Sequence, residues 1–205
     1  MHKPSAITAA SRFIRFLAMT ALLAALFMVL NPQSSSAGSA TWNLNATGAW
    51  TMAANWTPVT VPDGPSDIAT FGVSNAIEVF IFSEGFDFQI ELKAIDFETG
   101  ASSFSFFVDT GLELLIDGTG IKNDSGVLQS FSSEVESPII FTNGATAGAN
   151  TAFTNAGRAS EQPAGTTSFS DTTSAGNATF NNEAAFAGDN SGKTNFFDSA
   201  SADHG

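Results

Sequence analysis

Residues 86 to 94, FDFQIELKA, alternate strictly: Phe86, Phe88, Ile90 and Leu92 are apolar, and Asp87, Gln89, Glu91 and Lys93 are polar. A period of two places the apolar set on one face of an extended chain, so the stretch predicts a half-buried β-strand. The phase slips at Ala94 and Ile95, after which Ile95 and Phe97 form the apolar pair, as a bulge or a corner between strands would produce. Similar short runs predict strands at 103 to 108, 112 to 117 and 138 to 142. Past Thr41 no stretch sustains an apolar period of 3.6, and Gly, Ser, Thr, Asn and Ala fill the spaces between runs, so helix is not expected there.

From residue 141 the pattern becomes a repeat. A Phe followed two places later by Asn or Asp recurs as Phe141 with Asn143, Phe153 with Asn155, Phe169 with Asp171, Phe180 with Asn182, and Phe196 with Asp198. Successive Phe residues lie 12, 16, 11 and 16 apart, so two triplets make one unit of 27 or 28 residues. The downstream unit matches the upstream one with Gly165 over Gly192, Thr167 over Thr194 and Ala175 over Ala202. Such a unit predicts an all-β fold, a parallel β-helix in which each unit winds once and stacks on the previous coil at about 4.8 Å. Like then stacks on like. Burying each ring is worth roughly 2 to 3 kcal/mol before entropy, and stacked amides can donate to one another's carbonyls. Each Asn or Asp is expected either inside with its Phe or at a corner. An antiparallel sandwich of hairpins fits the alternating gaps less simply, and a disordered polar tail is the other alternative.

The N-terminus predicts export. Lys3, Arg12 and Arg15 precede an apolar run over 16 to 30, followed by NPQSSSAGSA with small residues suited to cleavage. A run of fifteen residues falls short of the roughly 20 that span a bilayer. Residues 1–37 are read as a signal peptide, with cleavage after Ala37 or as late as Ala40, and membrane contact is expected through this segment alone. Residues 41–75 are read as a Trp-rich N-terminal cap and 76–205 as roughly five β-helix coils. After cleavage, twenty carboxylates face only Lys93, Lys122, Arg158 and Lys193, a net charge near −16. Such a surface repels phosphate backbones, which excludes nucleic-acid binding by the usual electrostatic route. Cysteine is absent, so neither disulfides nor thiolate metal sites hold the fold. The chain has 20 Phe and no Tyr, aromatic groups suited to burial.

Three stretches carry a resemblance: ATWNLNATGAWTMAANWTPVTVPDGPSDIATF (40 to 71), LELLIDGTGIKNDSGVLQSF (112 to 131) and IIFTNGATAG (139 to 148). Together they resemble secreted bacterial proteins with autotransporter-associated β-strand repeats, over nearly the whole chain after the signal. The resemblance implies a right-handed parallel β-helix of the passenger type, displayed at or released from the outer surface, with a structural or adhesive role. It supplies no catalytic residues. The final SADHG falls in mid-repeat, and an unpaired edge is expected there, to be covered by further chain in the native product or by self-association.

Candidate chemistry is sparse. Trp42, Trp50 and Trp56 lie close together near turn signals and would form either an exposed platform for sugar rings or a cap over the first coil; the cap is the stronger account, since that end otherwise exposes core and unpaired strand groups. Asp109, Glu113 and Asp117, or Glu134 and Glu136, would supply carboxylates to a polysaccharide lyase or glycoside hydrolase, but few basic residues are at hand to stabilise developing charge. His2 leaves with the signal and His204 is penultimate, so serine-hydrolase and zinc chemistry lack their imidazole. Asp171, Asp198 and the GDNSG turn at 188 to 192 offer oxygens to calcium without a recognised spacing, and solvated turns are the simpler account. No catalytic, cofactor or metal residue is assigned. The sequence predicts a secreted or surface-bound structural or adhesive β-helix, with a carbohydrate-binding or carbohydrate-cleaving one as alternative. Its expected partners are a surface polysaccharide or a second copy.

Overall fold

The computed structural model describes residues 38–44, 46–75, 77–82, 89–158, 163–185 and 190–205. The expected signal peptide and the first part of the 86 to 94 alternation, including Phe86 and Phe88, lie outside the described residues. Among the described residues fourteen strands follow one another: β1 Ala40–Trp42, β2 Gly48–Ala49, β3 Trp56–Thr57, β4 Gly64–Phe71, β5 Glu78–Ile81, β6 Gln89–Phe97, β7 Ser105–Val108, β8 Glu113–Asn123, β9 Gln129–Ser133, β10 Ile139–Thr142, β11 Ala149–Asn155, β12 Thr166–Phe169, β13 Asn177–Asn182 and β14 Lys193–Phe196. The described residues form no α-helix, only a 3-10 turn at Ala53–Asn55.

The strands alternate between two sheets. The larger runs β14-β12-β10-β8-β6-β4-β1-β3 and the smaller β13-β11-β9-β7-β5-β2. Every pairing between these strands is parallel except that of β1 with β3, and an isolated antiparallel bridge joins Arg158 to Asn190. The chain is a parallel β-solenoid: five windings run from the β4 and β5 pair to the β12 and β13 pair, and β14 opens the next. Parallel registers such as Phe141 on Phe169 and Phe153 on Phe180 exclude the hairpin sandwich. The phase slip at Ala94 and Ile95 is an irregularity in the β6 and β8 ladder: Leu92 lies beside Ile116, yet Ala94 lies beside Gly120. Both Ala94 and Ile95 are consequently buried.

The alternating gaps between Phe residues have a geometric cause. The short gaps, Phe141 to Phe153 and Phe169 to Phe180, cross from the larger sheet to the smaller through tight corners. Asn143 and Asp171 take positive φ there (52° and 57°), and Thr146 and Ser174 form a single-residue bridge. The long gaps return through arms closed by Gly165 N–H donating to Ala156 O and Gly192 N–H donating to Glu183 O, both at 2.9 Å. The Gly165 and Gly192 match is steric: a Cβ on Gly165 would lie 2.0 Å from Ser133 O, and one on Gly192 2.0 Å from Asn155 O.

Between the sheets the core holds two columns of rings. Phe141, Phe169 and Phe196 stack at centroid distances of 4.8 and 5.0 Å with planes within 9°. Phe106, Phe131, Phe153 and Phe180 stack at 4.7, 5.2 and 5.4 Å. The columns meet edge to face, Phe141 against Phe153 and Phe169 against Phe180, both at 5.8 Å, the geometry that aromatic quadrupoles favour. Strand spacing and ring spacing coincide, so each coil buries its own ring against the last.

Candidate functional site

The Phe triplets serve two physical roles. In β11 the strand runs past its Phe, so Asn155 points inward with its neighbour Phe153 and is fully buried. Its Nδ2 donates to Asn182 Oδ1 at 2.8 Å, and its Oδ1 accepts from Thr167 Oγ1 at 2.8 Å. Thr194 Oγ1 repeats the bond one coil on, donating to Asn182 Oδ1 at 3.1 Å, which explains the match of Thr167 with Thr194. β13 likewise runs on to Asn182, whereas at the triplets of β10, β12 and β14 the strand stops at or just after the Phe, and Asn143, Asp171 and Asp198 stand exposed at the corner with positive φ. There the backbone N–H of Asn143 donates to Asp171 Oδ2 at 3.2 Å and that of Asp171 to Asp198 Oδ2 at 3.4 Å. Asp117 heads this column, accepting from Thr142 Oγ1 and Asn143 Nδ2. Asn182 and Phe196 are exposed and Phe180 is half-buried, because the last strands have a neighbour on one side only.

The three tryptophans are interior. Trp50 and Trp56 are fully buried and Trp42 nearly so. Trp56 packs against Trp42 at 5.0 Å and Trp50 at 4.8 Å, and all three contact Phe71. Trp50 Nε1 donates to Pro62 O at 2.9 Å and Trp56 Nε1 to Trp50 O at 2.7 Å. No ring of the three is left as a sugar platform. The covering element is narrower than 41 to 75: β1 and β2 already pair in parallel with β4 and β5, and β3 alone turns antiparallel across the outer edge of β1.

Three of the five carboxylates considered for glycoside chemistry are engaged in structural bonds. Asp109 Oδ1 accepts from the Thr110 N–H at 2.7 Å, Glu113 from Gln89 Nε2, and Asp117 belongs to the corner column. Glu136 takes a positive φ of 58° in the turn before β10, with Glu134 two residues earlier. Burial pushes the Asp96 carboxyl up, and Lys122 on the adjacent strand partly offsets this. With its folded value raised, ionised Asp96 costs stability at neutral pH, a cost that vanishes as pH falls through that value. Hydrogen bonds from Ser174 and Ser201 hold Asp203 below the usual carboxylate range, a contribution present at neutral pH and lost as pH falls through the lowered value. Among the described residues no three His, Asp or Glu gather to hold a metal ion, and Asp171 and Asp198 act as corner acceptors.

Two surfaces remain that the alternation did not single out. The first is the outer face of the smaller sheet. Parallel register lines up Phe80, Phe107, Ser132, Thr154 and Asn181 along the solenoid axis, one per coil. Phe80 is 37% exposed and stacks on the half-buried Phe107 at 5.2 Å and 23°. The adjacent row on one side is Glu78, Ser105, Ser130, Ala152 and Thr179, and that on the other carries Asp109, Glu134 and Glu183, so the row itself is uncharged between acidic flanks. Phase would have revealed these rings: Val79 and Ile81 claim the inside of β5, and Phe106 and Val108 that of β7, which turns Phe80 and Phe107 outward. The second, an edge that the sequence predicts, is β14, which among the described residues pairs with β12 alone and presents Phe196 and Phe197 at 38% and 55% exposure.

No family model, curated protein or solved structure matches this chain.

Proposed function

We propose that this protein is a non-catalytic adhesive or structural element that acts outside the cytoplasm after export, and that it grips a neutral polysaccharide with the outer face of its smaller sheet. The observation that carries the reading is the row Phe80, Phe107, Ser132, Thr154 and Asn181, two ring faces in line with three hydrogen-bonding side chains at the strand spacing. Apolar ring faces suit the C–H faces of sugar rings, and hydroxyl and amide groups suit their hydroxyls. The acidic flanks of the row, Glu78 on one side and Asp109, Glu134 and Glu183 on the other, favour an uncharged polymer, since an anionic one would meet their field and that of the whole chain. The basic and apolar N-terminus and the resemblance to autotransporter-associated repeat proteins support export and display.

The test is co-sedimentation of the purified protein with insoluble cellulose and chitin, in parallel with an anionic polymer such as alginate. Retention on a neutral polymer should fall at least tenfold in Phe80→Ser, whose ring faces outward, with the far-UV spectrum and melting temperature unchanged. Equal retention by that variant, or retention on alginate alone, would overturn the reading.

A further inference from the structure

We propose that the polysaccharide is anchored by one sugar ring standing on edge at the step between Phe107 and Ser132, with its C–H face against the Phe107 ring. This inference rests on the polysaccharide reading and names the point of the lateral face that carries it.

The outer row of the smaller sheet is not level. The rings of Phe80 and Phe107 lie 5.2 Å apart with their planes 23° from parallel. Rings lying side by side in the plane of the sheet could not come so close, since carbon atoms in contact stay about 3.5 to 4 Å apart. The two rings are therefore stacked along the solenoid axis, and each hides one face on the other. Beyond Phe80 the row continues to Ala49, which is 8% exposed. Beyond Phe107 it drops to Ser132 and then Thr154, side chains too short to cover a ring. The face of Phe107 that looks along the axis over Ser132 is thus left open.

The surroundings of this step are polar. Val108 pairs in register with Ser133, which brings Asp109 and Glu134 side by side along one flank. Their N–H groups donate to Ile81 O at 2.9 Å and Val108 O at 3.2 Å. Ser132 forms the floor and Thr154 the far side. A pyranose answers both halves of the site: its C–H face suits the ring, and its rim of hydroxyls can donate to the two carboxylates and exchange bonds with Ser132 and Thr154. A purely aromatic ligand would answer the ring and leave the carboxylates without donors. An acidic sugar would meet them as like charge. The strand spacing of about 4.8 Å is also a stacking distance, so a sugar on Phe107 stands directly over Ser132. Phe80 backs the Phe107 ring and holds its plane upright, which is how loss of the Phe80 ring would release the polymer.

Filling the step tests the proposal. A ring at 132 continues the stack at the same spacing, as in the inner columns, and takes the place of the sugar. Retention of Ser132→Phe on insoluble cellulose or chitin should fall at least tenfold. Asn181→Phe, two coils further along the same row, should stay within about twofold of the unaltered protein. Were the rings a platform along which the polymer lies, a third ring would strengthen binding, so equal or greater retention of Ser132→Phe overturns the step and leaves the broader polysaccharide reading standing. Where Ser132→Phe lowers the melting temperature, Ser132→Gln fills the step without a ring and is held to the same tenfold loss. In solution, cellotetraose or chitotetraose should shift the amide resonances of Ser132 and Glu134 and leave that of Asn181 in place; shifts spread evenly along the row would also overturn the step. Failure of the unaltered protein to bind either polymer would overturn the polysaccharide reading itself, and the step with it.

Discussion

At Asp171 the backbone sits at φ 57°, a left-handed conformation that costs most L residues about 1 to 2 kcal/mol but that Asn and Asp visit readily. Its carboxylate also accepts the Asn143 N–H, a bond worth roughly 0.5 to 1.5 kcal/mol. Asp171→Val should therefore lose both terms, about 2 to 3 kcal/mol by urea denaturation, whereas Asp171→Asn, which copies the residue at 143, should stay within about 0.5 kcal/mol. Equal effects from the two would mean that the corner is not held by backbone conformation. The same residue shows what the amino-acid sequence hides. Phe169 with Asp171 and Phe153 with Asn155 share one spacing, yet Asp171 is exposed at a corner and Asn155 is buried. The difference is where the strand stops: β12 ends at Phe169 and β11 runs on to Asn155. A two-residue spacing carries the face of a side chain only while the chain stays extended, and strand ends are set by the coils above and below.

At the scale of the strand, the Phe columns were legible because a solenoid repeats its register: the same spacing that writes Phe every 27 or 28 residues stacks Phe169 on Phe141 and Phe180 on Phe153. Burial along those columns is graded. Phe153 is sandwiched between Phe131 and Phe180 and is 1% exposed, Phe180 is half-buried, and Phe196 lies at the open edge with 38% exposure. Removing a fully buried Phe costs about 3 to 5 kcal/mol, and less where the site can collapse or already meets water. Truncation to Ala should thus cost about 3 to 5 kcal/mol at Phe153, an intermediate amount at Phe180 and under about 2 kcal/mol at Phe196. Equilibrium unfolding of the three variants checks the order, and a reversed order would refute the columns. The outward rings of β5 and β7 were harder to read, because Phe107 sits in the run FSFFV, where an aromatic of either phase looks like core until the inside of the strand has been assigned.

Among the described residues each coil packs chiefly on its neighbours, so damage should spread by contact along the axis and fade with distance, as in other quasi-one-dimensional folds. The Trp cluster tests this. Trp50 contacts Trp56, Phe71 and Phe106, and its Nε1 bonds Pro62 O, all within the first coils. Trp50→Ala opens a cavity there and leaves the Pro62 carbonyl without that donor, a loss of about 3 to 5 kcal/mol confined to one end. Gly120 is the contrasting site. Its φ is 94°, and a Cβ would lie 2.1 Å from Thr146 O and 2.3 Å from Thr146 N, backbone that cannot swing aside, in the middle of the solenoid. Gly120→Ala should force apart the third and fourth windings. Hydrogen exchange followed by mass spectrometry separates the two cases. In Trp50→Ala, amides of β1 to β5 should lose protection while those of β9 to β13 keep it; in Gly120→Ala, the loss should centre on β8 and β10 and leave β1 with β4 protected. Uniform loss in both variants would show that the windings unfold as a single unit, and the cap would then be holding the far end as firmly as the near one.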